Sequence, residues 1–278
     1  MTQRSIQGLP PSFHETFAPD RRHVATLLKL AMDAYRGNVE AISAETDIPT
    51  GKSSGKVVPH LKYAQAMGLI EFEFANGVYA LQASALGRAV FAEDPLLYEP
   101  LTQVLMHLML TRAIGGASAW HMLFGNSRLA LGKTCSIEAA TAFLAQAFGN
   151  VSAVPGPLFT TYREDASLAR TGMLTTTKDT LTRGSLPMRE ENYWCYAYVW
   201  LQSWERSAGG IQQLPLSELE ARCGFVEISG WGDRRFDDFL AWAGAQRIIR
   251  VDRQTGAPLV MKTKGSDELI EQLYSDML

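Results

Sequence analysis

A tight turn between two short apolar runs constrains the fold of this chain more than any other feature of its sequence. Residues 70–74 and 78–81 are rich in apolar and aromatic side chains, and Asn76 and Gly77 lie between them. An Asn-Gly pair favours the two-residue turn of a β-hairpin, because both central positions of that turn need positive φ. The sequence therefore predicts a strand, a turn and a strand over residues 70–81.

Helical segments precede this predicted hairpin. Asp20 is suited to cap a helix over residues 21–36, in which apolar side chains recur at helical spacing. Residues 39–46 favour a short second helix, and a turn rich in Asp, Pro and Gly follows it. Apolar spacing predicts a third helix over residues 52–68. Helix, turn, helix and hairpin in this order are the outline of a winged helix-turn-helix.

The helix before the hairpin is the one that would lie in a DNA groove. Lys52, Lys56 and His60 are spaced four apart and therefore share one face of it. Such groups donate to phosphate oxygens, which gives affinity without sequence information, so we expect weak sequence preference. The residues predicted to contact DNA from this helix are Lys52, Ser53, Ser54, Lys56, His60 and Lys62.

Composition leaves other interpretations of this helix open. The 278 residues are 46% hydrophobic, which is enough for a substantial core and for two or three compact units. The formal net charge is −3, so any DNA contact must come from local basic patches. A row of lysines also suits an ordinary solvated helix face, and winged helices also serve as protein–protein modules.

The cysteines and the hydropathy of the chain predict a cytoplasmic protein. Cys135, Cys195 and Cys223 are far apart, which gives neither a disulfide framework nor the paired spacing of a zinc site. No segment has the pattern of a secretion signal, and none reaches the roughly 18 apolar residues of a membrane span. We therefore expect neither secretion nor a transmembrane segment.

The last part of the chain repeats the opening scheme. Residues 247–251 and 259–262 read as two strands around a turn, and a helix over residues 234–243 precedes them. Arg234 and Arg235 open that helix and are predicted to contact DNA. The sequence thus predicts a mainly α (α+β) fold, with winged helix-turn-helix units flanking a helical middle region. The expected boundaries are residues 1–82, 83–206 and 207–278.

Four sequence blocks together carry a family resemblance. They are HETF (14–17), TGKSSGKVVPHLKYAQAMGLI (50–70), LGRAVFAEDPLLYEPLTQVLMHLML (86–110) and GGASAWHMLF (115–124). They resemble a bacterial family known as a domain of unknown function, whose members look like the SspB-type component of DNA phosphorothioation systems. The match covers most of the first half of the chain and continues more loosely to its end. It departs from the family at Arg21-Arg22-His23-Val24, where a helix containing Trp and Leu is more usual.

The resemblance implies a protein that binds duplex DNA and nicks it, so that sulfur can replace a backbone oxygen. The implied partners are a cysteine desulfurase, a sulfurtransferase-like protein and an ATPase. A nickase must stabilise charge on a phosphodiester, usually with a divalent metal ion or with His, Lys and Arg. No spacing in this sequence is diagnostic of metal ligands.

His14 and Glu15 are the catalytic candidates, because a His-Glu pair can act as a base and its charge partner. Such a pair also caps neighbouring helices in many proteins. Two other functions remain open on the same residues. The chain would be a non-enzymatic DNA-binding adaptor or transcription regulator if it lacks a nicking centre. It would be a scaffold if its winged units bind the other modification proteins.

Overall fold

The computed structural model describes residues 7–51, 55–149, 155–254 and 256–275. Helices account for most of the regular structure in these ranges, and the strands form four small sheets. The pairing is antiparallel except between the first and fifth strands. The predicted class, mainly α with some β, is confirmed.

The predicted hairpin is present. Its strands pair in one continuous register, and Asn76 and Gly77 between them both have positive φ. The predicted cap is present as well, because the Asp20 side chain accepts a hydrogen bond from the Arg22 N–H. The elements of this region are β1 (Gln7–Leu9), α1 (Arg21–Met32), β2 (Arg36–Gly37), α2 (Val39–Thr46), α3 (Val57–Ala66), β3 (Ile70–Ala75) and β4 (Val78–Ala83).

The middle of the chain contains a sheet, although the sequence predicted a helical region. Its two later strands form an antiparallel pair within residues 174–183. The elements are α4 (Ala85–Glu93), α5 (Pro100–Leu110), β5 (Ile114–Ala117), α6 (Ser118–Gly125), α7 (Arg128–Leu131), β6 (Thr134–Ser136), α8 (Ile137–Phe148), α9 (Pro155–Arg163), β7 (Leu174–Thr176) and β8 (Thr180–Arg183).

The last region has the predicted strand pair. A short helix also lies between its two longer helices, and a 3₁₀ helix at Asp267–Gln272 follows the last strand. The elements are α10 (Tyr193–Ala208), β9 (Gln213–Pro215), α11 (Leu216–Cys223), α12 (Phe225–Ser229), α13 (Asp233–Ala245), β10 (Ile249–Asp252) and β11 (Leu259–Lys262).

One order of elements occurs three times in the described chain. A helix leads into a short strand, further helices follow, and a hairpin closes the segment. In each case the final strand lies at the centre of its sheet, giving the orders β2-β4-β3, β6-β8-β7 and β10-β11-β9. We refer to residues 21–83, 118–183 and 193–262 as the first, middle and last units. Helices α3, α9 and α13 therefore hold equivalent positions, as the last α-helix before each of the three hairpins.

Two helices join the units into one core. Every residue of α5 after Pro100 is buried, and α10 buries Trp200 and Trp204 completely. Helix α5 contacts α3 and α10, so it lies between the first unit and the last. Burial of a large apolar side chain stabilises a fold by roughly 1.5–3 kcal/mol, and α5 supplies many of them. Among the described helices, none combines the length and the apolar character that crossing a bilayer requires.

Candidate nucleic-acid interface

Helix α13 presents two arginines to solvent. Phe236, Phe239 and Leu240 form its buried stripe, with the spacing of an amphipathic helix. Arg234 and Arg235 precede this stripe and are both exposed. The positions of these two predicted DNA-contacting residues therefore suit contact with an external strand.

Helix α13 carries three exposed aspartates, Asp233, Asp237 and Asp238, beside the two arginines, so the charge of this surface is mixed. Asp237 lies one turn further along α13, and its Oδ1 accepts a hydrogen bond of 2.6 Å from Arg253 Nη2. Arg234 and Arg235 form no salt bridge with any residue that the structure describes. Their guanidinium groups keep their donors for phosphate oxygens, which Arg binds through two parallel hydrogen bonds.

Other basic side chains of the last region differ in their availability. Arg250 is exposed on β10 and extends the basic surface of this unit. Lys262 does not, because only 8% of its side chain is exposed and its Nζ donates to Glu205 Oε1 at 2.9 Å. That lysine joins β11 to α10 within the protein.

The basic residues of the first unit are less accessible. Lys56 precedes α3, is half-buried, and places its Nζ 5.5 Å from the centre of the Phe17 ring. Lys62 is also half-buried. Lys52, Ser53 and Ser54 lie outside the described residues. Contact with DNA from this helix remains a prediction.

His60 does not lie on the solvent-facing side that the sequence indicated. The residue is 1% exposed, its Nδ1 is 2.7 Å from the Lys56 carbonyl oxygen, and its Nε2 accepts the Asp20 N–H at 3.1 Å. Since Nε2 accepts, Nδ1 carries the proton of the neutral ring. Burial lowers the pKa of His60 to about 4, and the Lys56 carbonyl partly opposes this shift.

His60 is buried because of the position of its helix in the molecule. Helix α3 begins at Val57 and contacts α1 and α5, so the face assigned to solvent packs against the protein. Pro59 is the third residue of this helix. Proline in the first turn loses no intrahelical hydrogen bond, because the N–H groups of that turn have no partner within the helix.

The structure does not bring His14 and Glu15 together as a pair. His14 is fully buried, and its ring centre is 5.4 Å from that of Phe13 and 5.7 Å from that of Trp120. Burial lowers the pKa of His14, although carbonyl groups of the surrounding loop oppose the shift. Glu15 is exposed to solvent, and its backbone has a positive φ. Their catalytic role remains a prediction.

Metal ligands are not gathered in the described part of the chain. Its His, Cys, Asp and Glu side chains form no group of three or more that could hold a metal ion. Mg²⁺ prefers oxygen ligands and is usually held by one or two carboxylates together with substrate phosphates. We therefore assign no residue as a magnesium ligand.

Sequence reasoning missed a cleft beside α5 that contains a buried arginine. Arg112 lies at its base, 3% exposed, and follows directly on the apolar helix. A signal was present, since Arg112 is the only residue of the Asp, Glu, Lys and Arg types between Glu99 and Arg128. Charged side chains are almost never fully buried unless they are paired. An arginine at the end of a buried helix therefore merits attention.

Comparison with known proteins finds no matching family model and no matching curated protein. A crystal structure of magnesium ion-bound SspB matches with a TM-score of 0.69 and 17% identity, over 98% of this chain and 88% of that chain. A second SspB crystal structure matches with a TM-score of 0.66 and 15% identity, over 98% of this chain and 89% of that chain. The chain has the fold of SspB. The resemblance drawn from the four sequence blocks is confirmed at that level.

Proposed function

We propose that this protein is a DNA-binding component of a bacterial DNA phosphorothioation system and acts in the cytoplasm. The observation that carries the proposal is the fold shared with SspB over 98% of the chain. Its partners are then duplex DNA and the proteins that mobilise sulfur, namely a cysteine desulfurase, a sulfurtransferase-like protein and an ATPase. Arg234 and Arg235, exposed at the start of α13, are the groups that would contact the DNA phosphates.

We further propose that the first and last units are winged helix-turn-helix modules. Both have the order helix, strand, helices and hairpin, and both have the final strand at the centre of the sheet. The middle unit has the same order and is the third such module. In this arrangement the boundaries near residues 82 and 206 separate modules that the buried helices α5 and α10 hold together.

DNA contact in this proposal comes chiefly from the last unit. Arg234 and Arg235 are exposed and unpaired within the described ranges, whereas Lys56 and Lys62 are half-buried. Such contacts go to phosphates, which give register and affinity but no sequence information. The affinity should therefore fall steeply with salt and vary little between duplex sequences.

Nicking is the activity that we propose for the intact protein on duplex DNA. Cleavage of a phosphodiester needs an oriented nucleophile and groups that stabilise the developing charge. One related SspB structure contains a magnesium ion, and a divalent ion would supply that stabilisation. The described residues show no set of ligands for it, so we assign no step to a metal.

A supercoiled plasmid tests the activity. We expect nicked circles with the wild-type protein and Mg²⁺, and intact plasmid when EDTA replaces Mg²⁺. Glu15→Gln should abolish nicking if Glu15 takes part, and Glu40→Gln, another exposed glutamate, is its matched control. Full nicking by Glu15→Gln would remove Glu15 from the site. Supercoiled plasmid left intact under all conditions would exclude nicking by this chain alone.

A non-enzymatic DNA-binding adaptor or transcription regulator is the second candidate. The observation that favours it is that His14 is buried in the core whereas Glu15 is on the surface, so the two do not form one catalytic pair. This candidate predicts salt-sensitive binding of duplex DNA without nicking, measured by fluorescence anisotropy on a labelled duplex. A scaffold would instead bind its partner proteins and show no affinity for DNA.

A further inference from the structure

A cleft of about 940 Å³ lies between the first unit and the helices α5 and α10. Its walls are formed by β1, by β3 and β4, by the end of α5 and β5, and by α10. Cavities of about 300–1,000 Å³ are typical of sites for small molecules and cofactors. The cleft is separate from the exposed face of α13 described above.

The base of this cleft holds a buried positive charge. Arg112 Nε donates to the Met109 carbonyl oxygen at 2.9 Å, and its Nη1 donates to Gln202 Oε1. Its Nη2 reaches the Ala66 carbonyl oxygen at 3.4 Å. These carbonyls lie at the ends of α5 and α3, where helix dipoles favour a cation. Burial lowers the pKa of Arg112 to about 9, with Arg206 adding to the shift and Tyr198 opposing it, so the group stays cationic at neutral pH.

A second guanidinium lies beside the first. A Cβ built on Gly115 would be 3.1 Å from Arg206 Nη1 and 3.8 Å from Arg112 Nη2, so the two nitrogens are no further apart than the sum of these distances. Within the described ranges, neither arginine forms an ion pair with a carboxylate. Two like charges at this separation repel each other, and an anion between them removes that repulsion.

A hydroxyl group completes the set of donors. Gln202 Nε2 donates to Tyr198 Oη at 3.0 Å, while the Oε1 of the same amide accepts from Arg112. The Tyr198 hydroxyl hydrogen has no acceptor among the residues that the structure describes. Burial raises the pKa of Tyr198 to about 12, so its proton is retained at neutral pH and can be donated.

Three carboxylates also line the cleft. Glu71, Glu73 and Asp267 line it, and all three are exposed. None of them pairs with either arginine within the described ranges. Besides burial, the negative charge of Asp267 raises the pKa of Tyr198, so this carboxylate acts on the donor groups of the cleft.

We propose that this cleft binds a phosphoryl group, held by the guanidinium groups of Arg112 and Arg206 and by the hydroxyl of Tyr198. A dianionic phosphoryl group neutralises both cations and offers an acceptor oxygen to each of the three donors, whereas a carboxylate carries one charge and two oxygens. The volume of the cleft suits a phosphate ester as large as a nucleotide or the phosphorylated end of a nucleic-acid strand. This site is independent of DNA contact by α13.

Inorganic phosphate tests the proposal directly. We expect the full-length protein to bind it in isothermal titration calorimetry at constant ionic strength, and phosphate to raise the thermal midpoint above that in chloride. Arg206→Gln should weaken binding about tenfold, the loss expected for one charge-assisted hydrogen bond, because the side chain is exposed and the fold does not depend on it. Tyr198→Phe should weaken it about fivefold.

The control is Arg189→Gln, which removes an exposed arginine outside the cleft and should leave phosphate binding unchanged. Arg112→Lys keeps the charge but not the planar donor set, so we expect it to bind phosphate more weakly than wild type. Equal stabilisation by phosphate and chloride would overturn the proposal, as would wild-type affinity in Arg206→Gln.

Two competitors identify the source of the phosphoryl group. Displacement of phosphate by ADP assigns the site to a small phosphate ester, and displacement by a short oligonucleotide only when it carries a 5′-phosphate assigns it to a strand end. Both outcomes support a phosphoryl site. Failure of the DNA-binding proposal would appear instead as an unchanged duplex affinity in Arg234→Gln, with phosphate binding intact.

Discussion

The first and last units have the same order of elements but use the helix before the hairpin differently. Most residues of α3 are buried, and α1 and α5 contact it. Helix α13 buries one stripe and exposes the charged side chains at its start. One helix belongs to the core of the molecule and the other to its surface.

The difference shows that topology does not determine which helix can meet a partner. What differs is how much of each helix its neighbours cover. Helices α1 and α5 both contact α3, whereas α13 packs Phe236 and Phe239 against Trp200 of α10 and leaves its two arginines exposed. A DNA-binding role transferred from topology alone would be assigned to both units equally. The burial of His60 and the exposure of Arg235 are the reasons why we propose this role for the last unit.

The largest expected effect tests whether α3 is a core helix. Leu61→Ala should lower the free energy of unfolding by about 2–5 kcal/mol, because it leaves a cavity at a fully buried site. Arg235→Ala on α13 should change it by less than about 0.5 kcal/mol. Urea denaturation followed by circular dichroism measures both. Similar losses in the two variants would contradict the distinction.

A second test uses acid, because the last unit contains no histidine. The pKa of His60 in the folded protein is about 4, below the ordinary 6.5, so its contribution to stability is complete above pH 6.5. As the pH falls from 6.5 towards 4, the unfolded chain binds a proton that the folded chain does not. Stability should drop by about 1.4 kcal/mol per pH unit for this group.

His60→Gln should therefore lose less stability in acid than the wild type. Between neutral pH and pH 5, its free energy of unfolding should fall by about 2 kcal/mol less. Part of the slope should remain, because burial also lowers the pKa of His107 to about 3. Urea denaturation at several pH values measures the profile. An unchanged slope in the variant would mean that His60 takes up its proton in the folded state.

The third test compares the two helices on DNA. The double variant Arg234→Gln, Arg235→Gln should weaken duplex binding about tenfold and lower the slope of log K against log salt by about 2. The double variant Lys56→Gln, Lys62→Gln should have a smaller effect, since both lysines are half-buried. Fluorescence anisotropy over a range of salt concentrations measures both. A larger effect of the lysine variant would reverse the assignment.

The smallest expected effect concerns the exposed ion pair of the last unit. Arg253→Gln removes the contact with Asp237, and the free energy of unfolding should fall by about 0.2–1 kcal/mol. The difference from wild type should disappear in high salt, which screens exposed charges. A larger, salt-independent loss would mean that this pair supports packing within the unit.

The sequence was most informative where structure is local. Asn76-Gly77 located the first hairpin, and the run ending at Lys262 located the second. Asp20 marked the start of α1 because a cap depends only on its immediate neighbours. The sequence also indicated that Arg234 and Arg235 are exposed, because the apolar side chains that follow them recur at regular helical spacing.

The sequence was least informative where structure depends on distant segments. Strands β2, β6 and β9 have two or three residues each, and their partners lie far along the chain, so no periodicity marks them. The burial of His60 depends on α1 and α5. The cleft at Arg112 exists only because α10 packs beside β5, and no local pattern of residues describes that contact.

The position of the final strand in each unit has a consequence for synthesis on the ribosome. The central strand of each three-stranded sheet is the last to be translated, so both outer strands wait for it before they can pair. Each unit can then fold only in one step, after its second hairpin strand has left the exit tunnel. Folding during translation would advance in three jumps rather than continuously, starting from the N-terminal end.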